Sequence, residues 1–149
     1  VGRPAVFLDR DGVLVVPEFR DGRSFAPRTL DDLHFYPQAP AALARLRAAG
    51  FVLVVVTNQP DVGKGLIPLE VLEEMHNRLR CKMPVDAIMA CRHTQAQDCR
   101  CRKPRPGMLT DAAAKLDIQL DASFMVGDRR SDIDAGQAAG CQTIFIDLD

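Results

Sequence analysis

The run Phe51-Val52-Leu53-Val54-Val55-Val56 constrains the chain more than any other stretch. It is apolar at every position and rich in β-branched Val. A strand with one wet face alternates apolar and polar residues; one that is apolar throughout is covered on both faces, as in a parallel sheet between layers of helices. The run is also the longest strongly apolar one and is far too short to span a bilayer.

Other segments fit the same architecture. Ala5-Val6-Phe7-Leu8 reads as a buried first strand ending at Asp9. Val85 to Ala90, Ser123 to Val126 and Thr143 to Ile146 read as further strands. Between them lie helical stretches. Pro40 to Ala49 has Pro near its start and Gly50 just past its end. Pro68 to about Arg80 places Leu69, Leu72, Met75 and Leu79 at spacings of three and four. Pro106 to Leu116 and Ser131 to Ala139 complete the set. Strands alternating with helices predict an α/β fold with a parallel sheet. No internal repeat or low-complexity tract interrupts residues 1–149, which are expected to form one domain. A polar connection from about Val16 to Asp32, holding Arg20, Arg23 and Arg28, is long enough to read as a functional loop.

Composition excludes several partners. The net charge of −1 gives no global attraction to nucleic acid or an anionic membrane. With no Trp and one Tyr, an aromatic base-stacking surface is not expected. No signal-peptide pattern precedes the first strand, and an opening Val1 in place of Met suggests a trimmed or renumbered chain. The five Cys are an odd number, three of them crowded between Cys91 and Cys101, unlike a secreted disulfide framework. A cytoplasmic protein is expected, and a monomer, since no exposed apolar stripe is evident.

The chemistry-bearing residues fall at strand ends. Asp9, Thr57 and Asp128 each follow a predicted strand, and that edge of an open parallel sheet is where ligands bind. In Asp9-Arg10-Asp11-Gly12, two carboxylates two residues apart suit a hard cation such as Mg2+ or divided nucleophile and acid roles. Alone, the segment is equally a common solvated Asp-Gly turn. Thr57 and Asn58 offer a hydroxyl and an amide to phosphate oxygens. The basic run Arg100, Arg102, Lys103 and Arg105, by itself a solvated face, brings a Lys to an otherwise acidic rim, where it can neutralise a phosphoryl group. In Gly127-Asp128-Arg129-Arg130-Ser131-Asp132, Asp128 completes an oxygen-ligand set, and Asp132 can orient a Lys or a metal-bound water.

In this order the four segments resemble the motifs of the haloacid dehalogenase superfamily of phosphotransferases, over nearly the whole chain. The resemblance implies a Rossmann-like parallel sheet with helices on both faces and the Asp9 strand at its centre. It implies no cap domain, because the stretches from Asp11 to Thr57 and from Asn58 to Lys103 are already filled by core elements. It also implies roles: Asp9 the nucleophile that becomes an aspartyl phosphate, Asp11 the acid and then the base, and Mg2+ held by Asp9, Asp128 and the backbone carbonyl of Asp11. Thr57 and Asn58 would bind the phosphoryl group, Lys103 would balance its charge, and Asp132 would support Lys103 or a metal-bound water.

Cys91, His93, Cys99 and Cys101 supply the residues of a closed Cys3His zinc set, although not in the usual paired knuckles. Surface thiols are the alternative. A structural Zn2+ there would brace the backbone leading into Lys103. Cys81 and Cys141 read as buried core thiols. The zinc-loop pattern with Cys-x-Cys-Arg-Lys-Pro resembles two phosphatase groups, those acting on heptose bisphosphates and the histidinol-phosphatase domains. Pro104 to Leu109 and Val54 to Gln59 resemble the heptose group more closely, which implies a place in lipopolysaccharide biosynthesis. This chain departs from that group: Pro60-Asp61-Val62-Gly63-Lys64-Gly65 stands for the usual Ser-Gly-Ile-Ala-Arg-Gly, Arg92 for a Pro, and Val13 for a Thr. A phosphorylated small molecule is the expected substrate, a sugar bisphosphate whose second phosphate meets Arg102, Arg129 and Lys64. Arg20, Arg23 and Arg28 are further candidates on a loop better read as solvated. Histidinol phosphate is the alternative, with Asp61 or Glu18 meeting its amine. A polynucleotide 3′-phosphatase is disfavoured by composition. A non-catalytic zinc-stabilised binding module is disfavoured because Asp9, Asp11 and Lys103 are all present.

Overall fold

The computed structural model describes residues 2–148; Val1, with which the chain opens, and Asp149 lie outside the described residues. Five strands form one parallel sheet: β1 (Ala5–Leu8), β4 (Val52–Asn58), β5 (Ala87–Cys91), β6 (Phe124–Gly127) and β7 (Gln142–Phe145). Their order is β5-β4-β1-β6-β7, with β1 at the centre as expected.

The two central strands are buried almost throughout, and successive residues alternate between two cores, as a doubly covered sheet requires. Ala5, Phe7, Val52, Val54 and Val56 pack on one face against Met108, Leu109 and Ala112 of α4 (Gly107–Leu116) and Ala135 of α5 (Arg130–Ala139). Val6, Leu8, Leu53 and Val55 pack on the other against Leu43 of α1 (Ala39–Ala48) and Leu79 of α3 (Leu69–Lys82). The unbroken apolar run thus feeds two cores from one strand.

The chain builds β1, β4 and β5 toward one edge, then returns across β1 to build β6 and β7 toward the other. The order reverses at β1, so the crevice for a ligand opens at the carboxyl ends of β4, β1 and β6.

Three features differ from the sequence expectations. The stretch Val16 to Asp32 is not a structureless loop. It folds into a hairpin of β2 (Glu18–Arg20) and β3 (Arg23–Phe25). Its turn is Asp21-Gly22, both with positive φ, the conformation that favours Gly and tolerates Asp. Second, Pro60–Gly63 forms a short helix, α2, directly after β4. Third, Cys81 is exposed, not a core thiol. The buried stripe of α3 runs through Leu72, Met75, His76 and Leu79, and two residues past Leu79 the helix has turned outward. Cys141 is buried as expected. No helix among the described residues is long and apolar enough to cross a membrane.

Candidate active site

Asp9 leaves β1 with its backbone N–H bonded to Val126 O at 3.0 Å. The chain then turns tightly: Leu14 and Val15 both donate to Arg10 O at 2.9 Å. Gly12 allows this turn, with φ of 95° and no room for a side chain, since a Cβ there would run into the Asp128 carboxylate. That close approach brings the segments after β1 and β6 together.

Lys103 is the hub. Its Nζ donates to Asp9 Oδ1 at 2.9 Å, Asp132 Oδ1 at 2.6 Å and Val56 O at 2.9 Å, so all three ammonium protons are used. The side chains of Lys103 and Asp132 are almost fully buried. Burial alone would lower the Lys103 pKa, but the Asp9 and Asp132 carboxylates outweigh it and hold the pKa above its ordinary value. Asn58 clamps the backbone of the same residue: Lys103 N donates to Asn58 Oδ1 and Asn58 Nδ2 donates to Lys103 O, both at 3.1 Å. The Asn58 side chain is thus engaged in aiming Lys103.

One ammonium cannot balance the carboxylates around it. Burial pushes the Asp9 pKa well up, Lys103 offsets part of this, and Asp132 and Asp11 add to it. Burial also raises Asp128. Carboxylate oxygens of Asp9, Asp128 and Asp132 lie within 4.8 Å of one another. Asp132 is committed to Lys103 and to Arg129 N, whereas Asp128 Oδ1 is buried with no hydrogen-bond partner among the described residues. An orphaned, desolvated carboxylate oxygen beside Asp9 fits an oxygen-seeking divalent cation, which would supply the missing charge.

The Asp11 carboxylate points elsewhere. Arg10 Nη2 and Nε donate to its Oδ1 at 2.9 and 3.1 Å, and Gln59 Nε2 donates to its Oδ2 at 2.8 Å. Gln59 Nε2 also donates to Thr57 Oγ1 at 2.9 Å. Thr57 is buried and does not line the cavity, so it meets the site through its hydroxyl alone.

The cavity above this floor has a volume of about 710 Å³. Asp9, Asp11, Asn58 and Lys103 line its base, while Arg23, Arg28, Lys64, Arg102 and Arg129 make its wall cationic. Arg23 and Arg28 therefore line the cavity, on the stretch read from the sequence as a solvated loop. Arg20 does not line it: its guanidinium lies 4.2 Å from the centre of the Phe25 ring. Arg28 Nε donates to Asp61 Oδ2 at 3.0 Å, which neutralises the acid that marked a departure from the heptose group. Arg129 Nη2 donates to Ser24 O and Oγ at 2.7 and 3.0 Å and ties the hairpin to the start of α5. Arg102 Nη1 is buried without a partner among the described residues, a donor held ready for an anion.

Cys91, His93, Cys99 and Cys101 converge beside the hub. Cys91 Sγ lies 3.4 Å from Cys99 Sγ and 3.5 Å from His93 Nδ1, and His93 Nδ1 lies 3.2 Å from Cys101 Sγ. A tetrahedral zinc with these ligands sets edges of about 3.5–3.8 Å, so the cluster fits with little adjustment. Burial pushes the Cys91 thiol up to about 12, so a thiolate there needs a cation to sustain it. The loop reaches the floor through Gln59 N, which donates to Cys91 O at 2.7 Å.

Sequence reasoning gave no role to Arg10, whose guanidinium grips Asp11, to Gln59, which bridges Asp11 and Thr57, or to His76, whose Nε2 lies 3.3 Å from Arg10 Nη1. For Arg10 a signal existed, a lone cation between two carboxylates. For His76, in mid-helix, there was none.

The chain is similar to proteins already known. Residues 100–147 match the family model Hydrolase_like, described as HAD-hydrolase-like. The chain is 36% identical to the D-glycero-β-D-manno-heptose-1,7-bisphosphate 7-phosphatase of Pseudomonas aeruginosa, over 98% of this chain and 82% of that protein. The D,D-heptose 1,7-bisphosphate phosphatase of Bordetella bronchiseptica, crystallised with magnesium and phosphate, superposes with a TM-score of 0.81 at 35% identity, covering 95% of this chain and 79% of that one. A HAD-like phosphatase of Mesorhizobium loti gives a TM-score of 0.84 at 32% identity, covering 99% and 74%. With Asp9, Lys103 and Asp132 joined at the carboxyl edge of such a sheet, the chain belongs to the HAD-like hydrolases, in the family of the D-glycero-β-D-manno-heptose-1,7-bisphosphate 7-phosphatases.

Proposed function

We propose that this chain is a Mg2+-dependent phosphatase that removes the 7-phosphate of D-glycero-D-manno-heptose 1,7-bisphosphate through an aspartyl phosphate at Asp9, a step in lipopolysaccharide biosynthesis. The observation that carries the reading is the buried Lys103, bonded to both Asp9 and Asp132 beside the orphaned Asp128 oxygen. Family membership supports it independently.

An Asp9 carboxylate oxygen attacks phosphorus as the ester bond to the sugar oxygen breaks, and the phosphoryl group ends on Asp9. Asp11 Oδ2 gives its proton to the leaving oxygen. The same oxygen then takes a proton from the water that attacks the acyl phosphate, which releases inorganic phosphate and restores Asp9. Two anions repel each other here, and Lys103 offsets that repulsion from a fixed position. Asp9, Asp128 and the Asp11 carbonyl would hold Mg2+, which would supply the remaining charge neutralisation. The backbone around Asn58 holds the transferring group, and the buried Thr57 hydroxyl fixes Gln59 beside Asp11. Zn2+ in the Cys3His loop is structural and braces the approach to Lys103.

The wall supports a bisphosphate. Arg23, Arg102 and Lys64 offer cations to the non-reacting phosphate. Histidinol phosphate is disfavoured on a specific ground: Asp61, an anionic partner for its amine, is already paired with Arg28. The test is phosphate release with Mg2+ from heptose 1,7-bisphosphate and from histidinol phosphate, side by side, with Asp9→Asn as the blank. Preference for the bisphosphate is expected. Preference for histidinol phosphate overturns the substrate assignment, and turnover by the Asp9 variant overturns the mechanism.

A further inference from the structure

Beneath the site lies a buried group that the mechanism does not use. Arg10 is fully buried. Its charge meets one carboxylate among the ion pairs of the described residues, that of Asp11. On its far side Arg10 Nη1 lies 3.3 Å from His76 Nε2 and 3.8 Å from Met75 Sδ, both on the buried face of α3.

We infer that Arg10 and His76 act together as positioning residues for Asp11, selecting the carboxylate oxygen that carries the catalytic proton. The inference rests on the reading of Asp11 as the acid and base. Arg10 grips Asp11 Oδ1 with two donors and so fills the lone pairs that a proton on that oxygen would need. Among the described residues Oδ2 receives only Gln59 Nε2 and keeps a site for the proton. The guanidinium in turn needs an acceptor on its other edge. It has only donors, so at this contact His76 Nε2 accepts and the ring proton sits on Nδ1. A protonated ring could not accept. Burial first, then Arg10 and Arg80, lower the His76 pKa to about 4, with Asp11 opposing, so the ring is neutral at neutral pH. The chain of contacts runs His76, Arg10, Asp11 and joins a helix on one face of the sheet to the proton-transfer atom at its edge.

The test uses leaving-group dependence, which a merely structural role does not move. A primary alkyl phosphate leaves as a basic alkoxide and needs the proton; p-nitrophenyl phosphate leaves as a weakly basic phenolate and needs it little. Values of kcat/KM report the step that forms the aspartyl phosphate. They would be measured with Mg2+ for p-nitrophenyl phosphate and for whichever alkyl ester is turned over, heptose bisphosphate or histidinol phosphate. His76→Leu removes the acceptor, and Arg10→Lys keeps the buried charge but loses the two-point grip. Each is expected to cost the alkyl ester about tenfold or more beyond any loss on the aryl ester. His76→Gln, whose amide oxygen can replace Nε2, is expected to recover the alkyl rate to within about threefold. Thermal melts establish that the variants compared are folded, and Arg10→Lys carries the test should His76→Leu not fold. Equal losses on both esters, or no loss, in folded variants overturn the inference. Asp11→Asn separates the two readings: if it costs both esters equally, the acid role of Asp11 fails first and the positioning role falls with it.

Discussion

The floor and the wall of the site are built differently. On the floor, Lys103 Nζ spends three donors on three partners, its backbone is clamped by Asn58, and both Asp11 oxygens are held from two directions. Lys103, Asp9 and Asp132 are buried and Asp11 and Asn58 partly so, where an unmade bond is costly. On the wall, Arg28 and Arg129 each reach one residue, at partly exposed positions. The floor sets a reaction geometry with little freedom, while the wall offers charge that can be traded between partners. The contrast matches where this chain departs from its resemblance to the heptose group: Asp61 and Lys64 lie on the wall, and no departure touches the floor.

The largest expected effect breaks the floor. Lys103→Met leaves Asp9 and Asp132 without their buried counter-charge; kcat should fall about 10²–10³-fold, and stability by about 3–5 kcal/mol in denaturant unfolding. A variant that loses rate but keeps full stability would show that the triad is not sequestered as described. Next, zinc removal by a chelator should lower Tm by roughly 10 °C, about 3 kcal/mol, and slow turnover by loosening the approach to Lys103. An unchanged melt, with no zinc found by elemental analysis, sinks the structural zinc reading.

A third test concerns pH. His76 has a folded pKa near 4 against 6.5 for the unfolded ring. In that interval the unfolded chain binds more protons, so stability rises with pH. The His76 contribution is complete above about pH 6.5 and is lost as pH falls toward 4. The loss is on the order of 3 kcal/mol. Between pH 6.5 and 4 the stability of the wild type should therefore fall relative to that of His76→Gln; parallel curves would place the ring in a more polar setting. The smallest effect belongs to the wall. Asp61→Gly frees Arg28, and KM for the bisphosphate should fall by roughly 2–5-fold with kcat unchanged. A change in kcat instead would mean that wall and floor are coupled.

Much of the floor was legible because strand ends are legible. An apolar run that stops at a carboxylate or hydroxyl marks the ligand edge of a parallel sheet, and this brought Asp9, Thr57 and Asp128 to one rim before any contact was known. The clustering of Cys91, His93, Cys99 and Cys101 was legible because the four residues are close along the chain. The hairpin was missed although Asp21-Gly22 announces one. Cys81 was misplaced because the stripe of α3 was not followed to its last turn. His76 carried no local mark at all: its partner Arg10 lies 66 positions away in the chain.

The sequence by itself determined the doubly covered sheet, the order of the motifs along its edge and the residue types of the carboxylate and Cys3His clusters. These follow from periodicity and strand termination, which are local properties of the backbone. Only the tertiary structure decided that Arg28 cancels Asp61, that Asn58 clamps the Lys103 backbone, and that Arg10 grips one oxygen of Asp11 while Gln59 meets the other. Those outcomes depend on which charges are buried together, and burial is settled by contacts between segments distant in the chain.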